Sequence, residues 1–395
     1  MRPGILIQHN VSPARTRDLV RCDVGAVIGF VPQAQWPPEA TAGDFLDLRL
    51  ERWGQLADHP QRHLVDTATR RGVRSFFENG GVELHVLAVC IRDESDLLGA
   101  GLAEGVLADL FERLRNKEDV GLVFVPALAY MRCEVTRAGA VRWQGEQLAN
   151  ELLAHCRMMN SRFLVLDAPR GLHGDLLARW FAEFRATEPE NRSWGAVYYP
   201  WLKCGDELYP PSGAVAGVFA RMERERYPTG IAWPPANAPV RGATHTEVEM
   251  DWTEVGVVSD LGVNPMVVVP GRGVVIWGAR TMSEDPNWVF INSRRIVSMV
   301  GEQLRRDNEW AVFEPNEFSL WKVVERNIMS RLEQLWNAGL LSGTRALQEY
   351  SVECNGATNP LAVRDRGELH IQVKLKPVGT TEQILIELQL GAPGS

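Results

Sequence analysis

Leu64-Val65-Asp66-Thr67-Ala68-Thr69-Arg70-Arg71-Gly72-Val73-Arg74-Ser75-Phe76-Phe77 places its apolar residues at helical spacing, stops at Asn79-Gly80-Gly81, and runs into an apolar stretch from Glu83 to Ile91. The spacing predicts an amphipathic helix, the glycines its end, and the run after them a buried strand. More units of the same kind follow. Leu102 to Leu114, Gln147 to Met158 and Leu176 to Phe184 read as helices, with Val120 to Val125, Phe163 to Leu166 and Gly195 to Tyr199 as strands between and after them. Upstream, Val24 to Val31 reads as another buried strand, bounded by the turn formers of Pro32 to Pro38. Such alternation predicts an α/β fold with a largely parallel sheet.

The pattern changes towards the C-terminus. Leu208 to Ala243 is rich in Pro, Gly and Ala around one helical run, Ala214 to Arg226, and a connection that long commonly carries function or contacts. Met266 to Val269 and Val274 to Trp277 flank Pro270-Gly271-Arg272-Gly273 as a hairpin. Two helices follow: Arg294 to Arg306, with Ile296, Val297, Val300 and Leu304 on one face, and a second from Pro315-Asn316 to Gly339, with Trp321, Val324, Ile328, Leu332 and Leu335. Near the end, Leu369, Ile371, Val373 and Leu375 alternate with polar residues, turn at Pro377 to Thr380, and alternate again through Ile384, Ile386, Leu388 and Leu390. At the start, Ile5, Leu6 and Ile7 form a short β-favouring run on a polar arm.

The 395 residues carry 42 basic and 50 acidic side chains, a formal net charge of -8, and 45% hydrophobic residues. That composition excludes a disordered chain and gives no general electrostatic drive towards nucleic acid or an anionic membrane. Cysteines at 22, 90, 133, 156, 204 and 354 show neither zinc-ribbon nor disulfide-framework spacing. The N-terminus lacks the apolar core of a secretory signal and no stretch is long enough to span a membrane, so cytoplasmic assembly without membrane insertion is expected.

Chemistry-bearing motifs are sparse. His59 and His63 have the spacing of two helical metal ligands, but Pro60 disfavours a helix there and no third ligand is in view. Gly271-Arg272-Gly273 lacks the third glycine of a dinucleotide fingerprint, and phosphate-loop and hydrolase motifs are absent. No metal or other cofactor is expected. Asp167 and His173 follow a strand, where an open α/β sheet holds catalytic groups; capping or turn roles are the alternative. A cytoplasmic α/β enzyme therefore stays open beside a structural reading. The strand-like ends either close their own sheet or add to a sheet in a neighbouring subunit. Lys322 and Arg326 are like charges four apart, partly relieved by Glu325, on either a solvated face or a stripe facing an oppositely charged partner.

Several segments together resemble the contractile tail-sheath family of phages, R-type pyocins and contractile injection systems. Ala26-Val27-Ile28-Gly29-Phe30, Phe76-Phe77-Glu78-Asn79-Gly80-Gly81 and Pro210-Pro211-Ser212-Gly213-Ala214-Val215-Ala216-Gly217 are similar to family signatures. So are Val275-Ile276-Trp277-Gly278-Ala279-Arg280-Thr281, Trp288-Val289-Phe290-Ile291-Asn292-Ser293-Arg294-Arg295, Phe313-Glu314-Pro315-Asn316, Leu320-Trp321 and Leu335 to Gly343. They fall in the family's order across nearly the whole chain. The resemblance implies a non-enzymatic sheath subunit: an N-terminal arm (1–20), a subtilisin-like α/β sheath domain (21–270), a tube-proximal α+β domain (271–368) and a C-terminal β-hairpin arm (369–395). No subtilisin triad can be placed in its motif contexts. The resemblance further implies exchange of the terminal β-arms through Ile5 to Ile7 and Leu369 to Leu390, and a tube-facing helix presenting Lys322, Glu325, Arg326, Ser330 and Glu333. Implied partners are other copies in a helical polymer, an inner tube protein, baseplate and terminal cap proteins, and a sheath paralogue. A single-ring baseplate or cap component sharing the sheath domain is a further alternative.

Overall fold

The computed structural model describes residues 19–93, 96, 104–137, 139–343 and 349–380. β1 (Val24–Pro32) leads to β2 (Phe45–Leu50), α1 (Trp53–Ala57), α2 (Thr67–Glu78), β3 (Leu84–Ile91), α3 (Glu104–Arg115) and β4 (Val120–Phe124). A small hairpin, β5 (Cys133–Val135) and β6 (Val141–Trp143), precedes α4 (Glu146–Met159), β7 (Phe163–Asp167), α5 (Gly174–Ala186) and β8 (Gly195–Tyr199). Then come β9 (Leu202–Cys204), β10 (Glu207–Tyr209), α6 (Ser212–Glu225), β11 (Ala238–Pro239), β12 (His245–Thr246) and α7 (Trp252–Leu261). β13 (Asn264–Val269), β14 (Gly273–Ile276), α8 (Ile291–Asp307), α9 (Phe318–Asn337), β15 (Tyr350–Glu353) and β16 (Gln372–Leu375) complete the order.

Nine strands form one mixed sheet in the order β11-β14-β13-β8-β7-β4-β1-β3-β2. The six from β13 to β3 run parallel, while β2 pairs antiparallel with β3, and β14 antiparallel with both β13 and β11. Side chains alternate between the faces as the two-residue period demands. Ala26, Ile28 and Phe30 of β1 join Leu87, Val89 and Ile91 of β3 under α3, α4 and α5, whose Leu110, Leu152 and Trp180 close that core. Val27 with Leu84, Val86 and Ala88 faces the other side, beneath α2 and α6. Burial on both faces explains why these strands read as continuous apolar runs.

Local signals set the cover. Asp66 caps α2 by accepting the Thr69 N–H at 2.8 Å. α6 lies directly against α2: a β-carbon at Gly213 would meet the Gly72 carbonyl oxygen at 2.4 Å, and one at Gly217 the Phe76 carbonyl oxygen at 2.3 Å. Only glycine permits this approach. The Phe-Phe-x-Asn-Gly-Gly and Pro-Pro-Ser-Gly-x-Val-Ala-Gly signatures are thus the two sides of one helix contact. Asn79 adds a polar tie, donating to the Ser75 and Arg241 carbonyls and accepting the Arg241 N–H.

A second core begins at α8. Ile296, Met299 and Val300 of α8 pack with Leu320, Trp321, Val324, Ile328, Leu332 and Leu335 of α9, and with Tyr350 and Val352 of β15. Leu19, Val20 and Cys22 dock onto the same core from the start of the described chain. The hairpin expected at 266–277 forms as β13 and β14, and it belongs to the large sheet. The alternating segment from Leu369 is expected to pair with 384–390. Its described strand, β16, pairs antiparallel with β15, from Tyr350↔Leu375 to Glu353↔Gln372. Ile5, Leu6, Ile7, Ile384, Ile386 and Leu388 lie outside the described residues.

Candidate functional site

The residues singled out for chemistry take structural positions. Asp167, buried at the end of β7, accepts the Ser212 N–H at 2.6 Å and so ties β7 to the start of α6. Burial pushes its carboxyl up to about 7 against that hydrogen bond. His173 shares a hydrogen bond with the Tyr199 hydroxyl at 3.0 Å through Nδ1, at the N-terminal boundary of α5. His59 Nδ1 accepts the Gln61 N–H, while His63 sits in the separate 3-10 turn Arg62–Leu64. Among the described residues, Glu83, His85 and Asp119 bring possible ligand atoms within 4.8 Å of one another. These groups are tied to neighbours: Arg21 reaches Glu83 at 2.8 Å, Arg49 contacts Glu83, and His85 lies 3.3 Å from Asp119. The group reads as an ion-pair network at the sheet margin.

α9 offers a sharper surface. Its buried stripe of Leu320, Trp321, Val324, Ile328, Leu332 and Leu335 leaves Lys322, Arg326, Ser330 and Glu333 on the opposite side, as 3.6-residue periodicity requires, with Glu325 half-buried on the flank. Lys322, Arg326, Ser330 and Glu333 are exposed. Lys322 Nζ pairs with Glu325 at 2.5 Å, so the like charges at 322 and 326 are separated by an acid one turn along. Lys322, Glu325, Arg326 and Met329 line one wall of a groove of about 600 Å³, and Tyr350, Ser351 and Val352 of β15 line the other.

β15 and β16 form a two-stranded sheet. Leu369, Ile371, Val373 and Leu375 rest on the second core, which holds the pair against α9. Two strands are the marginal minimum for a sheet, and among the described residues no third strand pairs with either. Sequence reading missed β15. Its signal is the alternation of Tyr350 and Val352, too short to stand alone.

The remaining motifs are joints. Gly278 lies against Asn264, whose side chain donates to the Val197 and Arg280 carbonyls and accepts the Arg280 N–H. Asn316 accepts the Trp321 indole N–H at 2.7 Å and donates to the Glu368 carbonyl, which explains the pairing of Pro-Asn with Leu-Trp. Gly339, at φ +84°, ends α9 so that the Leu340 N–H returns to the Leu335 carbonyl.

Two family models match consecutive parts of the chain: the phage tail sheath protein central domain over residues 188–282, and the phage tail sheath C-terminal domain over residues 283–391. The tail sheath protein of Escherichia phage P2 is 25% identical over 180 residues, 44% of this chain and 43% of that protein, so the match spans less than half the relative's length. Among solved structures, the sheath complex of the extracellular contractile injection system PVC in its contracted state gives a TM-score of 0.74 at 23% identity, covering 99% of this chain and 98% of that one. The anti-feeding prophage (AFP) baseplate in its contracted state gives 0.74 at 22% identity, covering 100% of both chains. At such identity these likenesses concern the fold.

Proposed function

This chain belongs to the phage tail sheath family, and from that premise we propose that it is the structural subunit of a contractile sheath. It polymerises in stacked rings around an inner tube protein and contracts to drive the tube through a target envelope. The observation that carries this reading is the succession of the two tail-sheath matches over residues 188–391, more than half of the chain.

The sheet of β15 and β16, two-stranded among the described residues, supports a mechanism. Strands from the terminal arms of neighbouring copies, Ile5 to Ile7 and Ile384 to Leu388, complete it by β-augmentation and link the lattice while the subtilisin-like bodies rotate as rigid units. The α9 face of Lys322, Glu325, Arg326, Ser330 and Glu333 lies against the tube. Baseplate and cap proteins bound the polymer, which assembles in the cytoplasm and joins a phage tail or tail-like particle. The role requires no catalysis, and the hydrogen bonds of Asp167 and His173 account for both residues structurally.

Negative-stain electron microscopy of the protein, alone and co-expressed with a tube protein, tests the reading. Hollow ribbed cylinders are expected; uniform small particles under both conditions overturn it. Likeness to a chain of the AFP baseplate favours one second reading, a single-ring component, which would give isolated rings.

A further inference from the structure

The signature Phe290-Ile291-Asn292-Ser293-Arg294-Arg295 is buried far more thoroughly than a helix start needs. Asn292 and Arg295, 1% and 4% exposed, are three residues apart and therefore neighbours on the first turns of α8. They reach opposite ends of the described chain. Arg295 donates to the Cys22 carbonyl at 2.8 Å and to Glu223 of α6 at 2.9 Å, and Glu223 accepts the Cys22 N–H at 2.8 Å. One helical stretch further on, Gln303 accepts the Val20 N–H at 2.8 Å. Asn292 donates to the Val378 carbonyl at 2.9 Å and accepts the Thr380 hydroxyl at 2.7 Å.

We propose that α8 is a common anchor for both terminal segments: Arg295, Glu223 and Gln303 clamp residues 20–22, and Asn292 clamps residues 378–380. The clamp is chemically expensive, because burying the Arg295–Glu223 pair costs desolvation that an apolar contact would avoid. Such a pair gives geometric definition to a backbone segment. Both backbone polar groups of Cys22 are held, the carbonyl by Arg295 and the N–H by Glu223. Resting on the sheath reading, the consequence is mechanical: pull on either arm converges on one buried helix at the junction of the two cores. Releasing residues 19–22 would add up to roughly 3.3–3.6 Å of reach per residue to the connection and slacken it.

Hydrogen–deuterium exchange of the full chain tests the anchor, and electron microscopy its mechanical role. The double variant Glu223→Leu, Arg295→Met removes the clamp without stranding a buried charge. Exchange at Val20 and Cys22 is expected to rise at least tenfold, with β1 unchanged. Asn292→Ala is expected to act on peptide 376–380 alone. Gln303→Leu, which frees the Val20 N–H and otherwise removes only the hydrogen bond to Asp307 on the same helix, serves if the double variant misfolds. Wild-type protection in these variants would overturn the anchor. In assembly, cylinders no more than half the wild-type length are expected, and cylinders of full length would overturn the mechanical role. If the wild-type chain forms no cylinders, the sheath reading fails while the exchange data still judge the clamp.

Discussion

Replacing Gly217 by alanine should destabilise the protein although alanine is the better helix former, while the same change at Gly256 should stabilise it. Both glycines lie inside helices, α6 and α7, and both substitutions gain about 1 kcal/mol of intrinsic propensity. They differ in what the new β-carbon meets. At Gly256 nothing lies within 4 Å. At Gly217 it would sit 2.3 Å from the Phe76 carbonyl oxygen and 2.8 Å from the Asn79 β-carbon. Contacts below 3.0 Å are essentially never tolerated, so α2 and α6 must separate by several tenths of an ångström. The obstacle is backbone. Phe76 is moreover fixed by stacking on Phe124, with ring centroids 6.0 Å apart. Overpacking of this kind costs about 1–3 kcal/mol, and an unyielding neighbour places it near the upper end. The net expectation is a loss of about 2 kcal/mol for Gly217→Ala and a gain of about 0.5–1 kcal/mol for Gly256→Ala. In a thermal melt followed by tryptophan fluorescence, the first should melt about 2–4 °C below wild type and the second about 0.5–2 °C above. A Gly217→Ala protein melting at or above wild type would refute the close-contact reasoning.

Other expectations concern charge and the chain ends. Burial raises the Asp167 carboxyl to about 7, against about 4 in the unfolded chain. A raised carboxyl favours folding while protonated, so its contribution is full below about pH 4 and lost as pH rises through about 7, up to about 4 kcal/mol. Asp167→Asn keeps an acceptor for Ser212 and removes the titration; its urea midpoint should gain on wild type from pH 5 to pH 8, and a constant difference would reject the assignment. Reversing Lys322 and Arg326 to Glu should abolish co-sedimentation with the tube while leaving self-assembly intact, since the exposed Lys322–Glu325 pair contributes under about 1 kcal/mol to folding. Unchanged tube binding would remove that face from the interface. Deleting 381–395 should leave a folded, non-polymerising chain by analytical ultracentrifugation, whereas deletion from Leu369 also takes β16 off β15 and lowers stability; retained polymerisation by the shorter deletion would count against arm exchange.

Much of the architecture is legible because it is local. The Leu64–Ile91 unit announces helix, stop and strand in sequence, and α4, α5, α8 and α9 form within a few residues of the spacing that predicts them. Pro315-Asn316 marks a helix start, and the structure supplies the reason: Asn316 caps no backbone but holds the Trp321 indole. Local signals were also present and unread. Phe45 to Leu50 alternates as an edge strand does, and Asp251 with Glu254 is a capping box for α7, closed by Gly262. Neither the β15–β16 pairing nor the convergence of residues 20–22 and 378–380 on α8 could be read this way. Partners separated by 86 to 283 residues, or by about twenty in β15 and β16, leave no periodicity in either segment. The signature glycines show the same limit: sequence displays them, but the helix they admit lies 140 residues away.

The margins of the large sheet have a bearing on unwanted pairing between copies. At one side the last strand is only two residues long and ends in Pro239, which has no N–H to offer. At the other, β2 carries Asp47, held by Lys117, and Arg49, held by Glu83. Charge and proline are the devices by which natural sheets discourage indiscriminate pairing with other chains. If the chain polymerises as proposed above, a main body blunted in this way leaves mutual recognition to the small sheet on α9 and favours ordered growth over precipitation.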